Sequence, residues 1–225
     1  MVLSSQTAVY MVTHGHVAQT KRVIEVLHKT GGEKHHLYVA DSGSGDEMYQ
    51  MLNGLKDEGK IHWLRTFGDN VGQNIGANTC LDAIFEGGQY EWIVCWSADV
   101  EPKTRRLLKK LVRAMRMFRL AGVDVLAAPL VKGGGDPAPL SLSGDDIGFP
   151  YYEAEVLKGY VRGCPVSVFR DWRFNEYGAL AMGESLEMKE RAMELSLGCV
   201  VIQNLTCKHL GSMPGFIESH VGYGL

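Results

Sequence analysis

Two kinds of segment alternate along the first 131 residues, and that alternation limits what the chain can become. Short apolar runs rich in β-branched residues recur at residues 8–12, 37–40, 61–64, 92–96 and 125–131, each stopping at polar or glycine residues. Between them, residues 17–29, 46–55, 73–85 and 103–120 carry apolar side chains at helical spacing. In the last of these, Leu107, Leu108, Leu111, Val112, Met115 and Phe118 form one stripe. A short continuous apolar run suits a strand covered on both faces, and an apolar stripe suits a helix lying on such a sheet. The alternation predicts an α/β fold: a single Rossmann-like domain with a mostly parallel central sheet and helices on both faces.

Past residue 131 the rhythm breaks into VKGGGDPAPLSLSGDDIGFP, too polar for the core and long for a connection. Loops of this kind are mobile or functional. A short strand candidate at 165–169, an acid-bearing helix at 183–197, the run CVVIQN and a tail containing KHLGS follow. With 225 residues, 45% of them hydrophobic, and no internal repeat, the chain reads as one domain over residues 1–225. It has two halves, about 1–131 and 132–225.

The net charge of −3 favours no partner, so attraction to a polyanion must come from a local cluster. Cys80, Cys95, Cys164, Cys199 and Cys207 lie far apart with no C-x-x-C pair, as buried thiols of a reducing compartment do. No basic region precedes the first apolar run, and no stretch of about 18 apolar residues occurs. The expectation is a soluble, cytoplasmic protein without a transmembrane segment.

In open α/β sheets, ligands bind beyond the C-terminal ends of the strands. That rule selects THGH (13–16), DSGSGD (41–46), GDNVGQN (68–74) and SADVEP (97–102). A dinucleotide fingerprint fits poorly, because Gly43 and Gly45 follow the second strand and Met48 stands where a third glycine belongs. The stretch VADSGSG also resembles the acid and glycine pattern that cradles S-adenosylmethionine, although Asp46 and Glu47 would then face the cofactor's carboxylate. A methyltransferase is therefore the alternative enzyme.

Taken together, a strand ending in Thr13-His14, the DSGSGD turn, NVGQNIGANTCLDAI and WIVCWSADVEP resemble family 2 glycosyltransferases of the GT-A fold. That family carries a D-x-G-S-x-D element, an N-x-G-x-x-x-G-x-N element and a D-x-D-like element in this order. RFNEYGALAMGESLEMKERAMELS resembles its F-D-E segment with the acidic helix start, and KHLGS its late histidine, so the likeness runs from about residue 7 to 213. The resemblance implies a nucleotide-sugar donor, UDP- or GDP-linked, bound in the first half, with acceptor and catalytic residues in the second. Asp41 would hold the uracil or ribose, Thr13 and His14 would line the base, and Ser44 belongs to the same turn. Asn70, Gly72, Asn74, Gly76 and Asn78 match the asparagine-glycine element beside the nucleotide, and Ser97-Ala98-Asp99 falls on the D-x-D position.

Sugar transfer from a nucleoside diphosphate requires stabilising charge on the departing diphosphate, which a divalent cation does. Mg²⁺ or Mn²⁺ takes oxygen ligands, and Asp99 at a strand end supplies one, while the imidazole of His209 suits manganese better. The acceptor hydroxyl needs a general base, for which Glu184 at the start of the acidic helix is the candidate and Glu187, one turn on, the substitute. Transfer would then invert the anomeric centre without a covalent intermediate. Two positions depart from the family: Ser97 stands where the first acid of D-x-D is usual, and Ser185 where an aspartate often follows the glutamate.

Each feature also has a plainer reading. Asp99-Val100-Glu101-Pro102 is a good helix start, Asp41 with its glycines a tight turn, and Glu187 with Arg191 an ordinary i,i+4 pair. A lone His209 is usually structural, and His14-x-His16 usually loop polarity. A non-catalytic module binding nucleotide-sugars or nucleic acid is thus the reading from a different class. The helix over residues 103–119 carries Lys103, Arg105, Arg106, Lys109, Lys110, Arg113, Arg116 and Arg119, with no acid between Glu101 and Asp124. This stripe is a solvated face, a seat for anionic lipid headgroups beside a glycan or lipid-linked glycan acceptor, or a track for DNA phosphates. In the last case a hydroxylated base would be flipped out to receive the sugar, with the loop over residues 132–146 closing on it.

Overall fold

The computed structural model describes residues 6–32, 34–133, 139–143, 148–176 and 183–211. Strands and helices follow as β1 (Gln6–Thr13), α1 (Val17–Thr30), β2 (His35–Asp41), α2 (Asp46–Asp57), β3 (Trp63–Thr66), α3 (Gly72–Gly87), β4 (Tyr90–Trp96) and β5 (Val100–Pro102). The chain continues with α4 (Leu107–Leu120), β6 (Val125–Lys132), β7 (Pro139–Ser143), β8 (Tyr151–Ala154), β9 (Val161–Pro165), α5 (Gly183–Glu194) and β10 (Gly198–His209). The strands form one sheet in the order β3-β2-β1-β4-β9-β6-β10-β8-β7, with β5 paired to β10.

The α/β domain is present, and its sheet is mixed. Pairs β2–β3, β1–β2 and β1–β4 are parallel, as the alternating first half requires, and so is β6–β10. β9 lies antiparallel to both β4 and β6. β8 runs antiparallel to β7 and to β10, and β5 antiparallel to β10. The expected strand at 165–169 is displaced: the ladder runs over Val161–Pro165, and Val166–Phe169 forms a 3-10 turn. Gly163 weakens the strand signal, yet a side chain there would strike Met115, whose Sδ lies 2.9 Å from the ideal Cβ position. Part of the expected long loop is strand β7; its remaining residues, 134–138 and 144–147, and with them the closure over a flipped base, lie outside the described residues.

Helices cover both faces. On one, α1, α2 and α4 pack through Val23, Ile24, Leu27, Met48, Leu52 and the α4 stripe; on the other, α3 packs through Ala77, Cys80, Leu81 and Ile84, joined by Met188 and Ala192 of α5. Leu107, Leu108, Leu111, Val112, Ala114, Met115 and Phe118 are all buried, each large aliphatic contributing roughly 1.5–3 kcal/mol. Cys80, Cys95, Cys164 and Cys207 are buried free thiols, and burial pushes Cys80, Cys164 and Cys207 well above the usual thiol range. Among the described residues no helix is long and apolar enough to cross a membrane.

Candidate active site

The C-terminal ends of β1 and β2 lie side by side, with Thr13 paired to Asp41 in the parallel register. Because side chains alternate along a strand, Thr13 and Asp41 point the same way, and Thr13 Oγ1 donates to Asp41 Oδ1 at 2.8 Å. Asp41 is buried and also accepts from the backbone N–H of Ser44 at 3.1 Å and from the Ser44 hydroxyl. Ser44 Oγ accepts in turn from the Gly15 N–H at 2.8 Å, which joins the THGH turn to the DSGSGD turn. His14 Nδ1 lies 2.6 Å from Ser42 O, and its Nε2 lies 3.5 Å from Asn70 Nδ2. The His16 carbonyl opens α1 by accepting from Thr20 N.

Ser42, which the motif reading passed over, is the hub of these loops. Its hydroxyl donates to Asn70 Oδ1 at 2.9 Å and accepts from the N–H groups of Val71 and Gly72 at 2.9 and 3.0 Å. Asn70 Oδ1 also accepts from Gly72 N at 3.0 Å, so the α3 start is tied to β2. The available signal was position: Ser42 directly follows the last residue of β2, where a short hydroxyl reaches the next loop. Gly43 has φ +70° and packs on the Asp69–Asn70 backbone, which leaves no room for a side chain.

Asn74 and Asn78 turn away from these loops toward the second half of the chain. Asn74 Nδ2 donates to Asn175 O at 2.7 Å and to Glu187 Oε1 at 3.2 Å. Asn78 Nδ2 donates to Phe174 O at 2.8 Å and Glu176 Oε1 at 3.1 Å, while its Oδ1 accepts from Phe174 N at 2.9 Å. Both amides are therefore engaged in bracketing residues 174–176 against α3. Gly76 lets α3 approach β1, since a Cβ there would meet Val12 Cγ1 at 2.7 Å. Asn78→Ala is expected to lower stability by about 2–3 kcal/mol, because it leaves buried backbone groups of Phe174 without partners. Urea denaturation checks this, and a cost below about 1 kcal/mol would show that the bracket holds without the amide.

Glu187 is committed to the same bracket. Its Oε1 accepts from Asn74 and its Oε2 from the Asn175 N–H at 2.7 Å. The expected Glu187–Arg191 pair is replaced: Arg191 donates to Glu194 at 3.0 Å and to Val168 O at 3.2 Å. The backbone of Glu184 lies in the first turn of α5, and its side chain lies outside the described residues.

The stretch from Ser97 to Pro102 opens no helix. Val100 N donates to Ser97 O in a turn, and β5 then runs antiparallel to the end of β10, with Val100 opposite His209. Glu101 is held by Arg22 at 2.8 Å and by Lys103, so its acid serves an ion-pair cluster rather than a helix dipole. Although burial pushes the Glu101 carboxyl upward, the hydrogen bonds and charges of these two cations hold it below the usual range.

This return of β10 brings Asp99 to His209, 110 residues further on, with Oδ2 and Nε2 2.9 Å apart. Ser97 Oγ donates to Asp99 Oδ1 at 2.5 Å, and Leu210 N to Asp99 O at 2.9 Å. The Tyr160 ring lies 5.0 Å from that of His209, and burial, helped by the Asp99 charge, raises its phenol pKa. Among the described residues no three histidine, cysteine or acidic side chains form a group able to hold a metal. The donor set at this strand end is one carboxylate and one imidazole with a hydroxyl beside them. It fits a cation that takes its other ligands from a diphosphate and water.

The sheet order and the helices on both faces make the α/β fold of GT-A-type glycosyltransferases. Solved structures share this fold. A mannosyltransferase, PcManGT from Pyrobaculum calidifontis, in complex with GDP-Man and Mn²⁺, superposes with TM-score 0.69 at 13% identity, covering 97% of this chain and 60% of that one. GalNAc-T7 with UDP, GalNAc and Mn²⁺ gives 0.73 at 12% identity, covering 96% and 45%. S. aureus TarS gives 0.68 at 16% identity, covering 95% and 38%. The chain thus spans less than two thirds of the length of each. No protein-family sequence profile matches it, and no curated protein sequence does.

Proposed function

We propose that the protein is a nucleotide-sugar-dependent glycosyltransferase of the family 2 type, moving a sugar from a UDP- or GDP-sugar to an acceptor hydroxyl. The observation that carries this reading is the meeting of Asp99 and His209 at 2.9 Å beside Ser97, at the strand rim that also bears the Thr13–Asp41–Ser44 cluster. In this reading the loops after β1 and β2 receive the nucleoside. Asp41 already accepts three hydrogen bonds, so its part is to hold Thr13 and Ser44 in place while the loop meets the base and ribose. Asp99 and His209 would hold Mn²⁺ or Mg²⁺ once their mutual contact opens. Such an ion supplies Lewis-acid neutralisation of the charge that grows on the diphosphate.

Glu184 then takes the acceptor proton, and the displacement inverts the anomeric centre. With both carboxylate oxygens of Glu187 bonded, that residue serves as a positioning group for residues 174–176. The acceptor hydroxyl belongs to a glycan or lipid-linked glycan, or to a hydroxylated base in DNA. A methyltransferase reading needs an open glycine turn at VADSGSG, and Gly43 is packed on residues 69–70 instead.

A thermal-shift panel of UDP, GDP and S-adenosylmethionine, with and without Mn²⁺, tests the proposal. A diphosphate that raises the melting temperature only with metal supports it, since saturation at 100 times Kd stabilises by about 2.7 kcal/mol. Stabilisation by S-adenosylmethionine alone would refute it.

A further inference from the structure

The basic residues around α4 fall into two sets. Arg116 and Arg119 reach Glu91 at 3.6 and 3.1 Å, Arg119 also binds Asp124 and lies over the Trp92 ring, Arg113 lies over Phe149, and Lys103 binds Glu101. These cations are spent on the fold. Arg105, Arg106, Lys109 and Lys110 are exposed and form no ion pair among the described residues. They sit at the start of α4, whose first turn has no acid, so they do not complement the helix dipole. Nor is the helix start itself the feature, because two of its N–H groups are taken: Arg106 N donates to Thr30 O at 2.8 Å and Lys109 N to Gly31 O at 3.1 Å.

Those same bonds join the patch to a second cationic feature. The Arg106 side chain lies against Gly32 and the His35 ring against Gly31. Beyond His35 opens a cleft of about 350 Å³ lined by His28, His35, His36, His62, Lys56 and Lys60, with no carboxylate in its wall. Among the described residues, Glu58 and Glu25 pair with Lys60, at 2.5 and 3.9 Å. His36 and His62 stack at 4.0 Å, and His36 Nδ1 lies 2.7 Å from the Tyr90 hydroxyl. Burial first, and then His62, His35 and Lys34, hold His36 below the usual imidazole pKa. An anion in the cleft would offset that mutual repulsion.

We propose that this strip, from Lys110 and Lys109 through Arg106 into the histidine cleft, docks the phosphodiester backbone of a nucleic acid. His35 pairs with Thr7 at the start of β1, so the strip lies on the rim opposite the Thr13–Asp41 loops and is a separate docking surface, independent of sugar transfer. A membrane surface is the poorer fit, because the apolar stripe of α4 from Leu107 to Phe118 is buried against the sheet, and the exposed Leu120 stands at the far end of the helix from Arg106 and Lys109.

Fluorescence anisotropy of the full chain with a labelled DNA duplex tests this. With about four phosphates contacted, affinity should fall roughly 100-fold between 50 and 200 mM salt. Arg106→Ala/Lys109→Ala/Lys110→Ala should weaken binding at least tenfold and flatten the salt slope by about 0.9 per lost contact, with Arg170→Ala as the unaffected control. Binding should tighten from pH 7.5 to 6.0, since a phosphate favours imidazolium, and less so in His28→Asn/His35→Asn. The groups at the cleft are His28 from α1, His35 and His36 from β2, Lys56 from α2, Lys60 from the turn after it and His62 before β3, with Tyr90 of β4 on His36 and Glu25 and Glu58 on Lys60. An unchanged melting temperature of the triple variant, with its response to UDP and Mn²⁺ kept, separates this surface from the strand-end site. No duplex binding by the wild type, an unaltered salt slope in the triple variant, or binding to phosphatidylglycerol vesicles in place of DNA would overturn the proposal.

Discussion

Asp99→Asn is expected to abolish the metal-dependent part of nucleoside diphosphate binding while leaving the fold intact. The substitution keeps the shape of the side chain and an acceptor for the Ser97 hydroxyl, but removes the carboxylate that meets His209 at the strand rim. Loss of an outer partner of a metal ligand costs about 10–100-fold in affinity, so loss of the ligand itself should cost on the order of 100-fold or more. The unliganded protein should hardly notice. The Asp99 side chain is 37% exposed, and a partly solvated pair with His209 contributes no more than about 1 kcal/mol. Titration calorimetry of UDP or GDP with Mn²⁺, beside melting curves of the free variant, reads both quantities. Wild-type affinity in the variant would remove Asp99 from the site. His209→Ala should cost less with Mg²⁺ than with Mn²⁺, because imidazole suits the softer ion.

Gly43→Ala should be the most damaging small substitution in the strand-end loops. The residue has φ +70°, and an ideal Cβ would stand 2.3 Å from the Asp69 carbonyl carbon and 2.6 Å from Asn70 N. Left-handed backbone alone costs a non-glycine residue roughly 1–2 kcal/mol. The clash is with backbone that cannot rotate aside, so residues 69–70 must move, and Asn70 then loses Ser42 and Gly72. The total should reach about 3 kcal/mol or more, with nucleotide binding lost. Gly59→Ala isolates the contact: its φ is +73°, yet nothing lies within 4 Å of its Cβ position. Urea denaturation of both variants should show Gly43→Ala the costlier by at least about 1 kcal/mol. Equal losses would show that the packing of the two turns contributes nothing.

Much of the first half was legible because its signals are local. Helix α1 runs over Val17–Thr30 and α3 over Gly72–Gly87, close to the ranges that periodicity assigns. The first, second and fourth apolar runs become β1, β2 and β4. The second half was less legible for nameable reasons. Gly163 and Pro165 disguise β9, whose glycine serves Met115 on α4, not the strand itself. β5 carries an acid-and-proline pattern that favours a helix start, and antiparallel pairing with β10 overrides it. β10 extends to His209, twice the length of the CVVIQN run, because its register shifts between Ile202 and Thr206 and pairing resumes beyond.

From the sequence alone came the alternation of strand and helix, and with it the set of loops that share one rim, since chain direction in a parallel sheet puts every strand's C-terminal end on the same side. Tertiary structure alone decided which side chains in those loops meet. Periodicity acts over a few residues, whereas Asp99 reaches His209 only because β10 returns beside β5, and Asn74 and Asn78 engage residues 174–176 only because α3 packs there. Contacts across about a hundred residues depend on strand order, and strand order is a property of the whole packed sheet rather than of any segment.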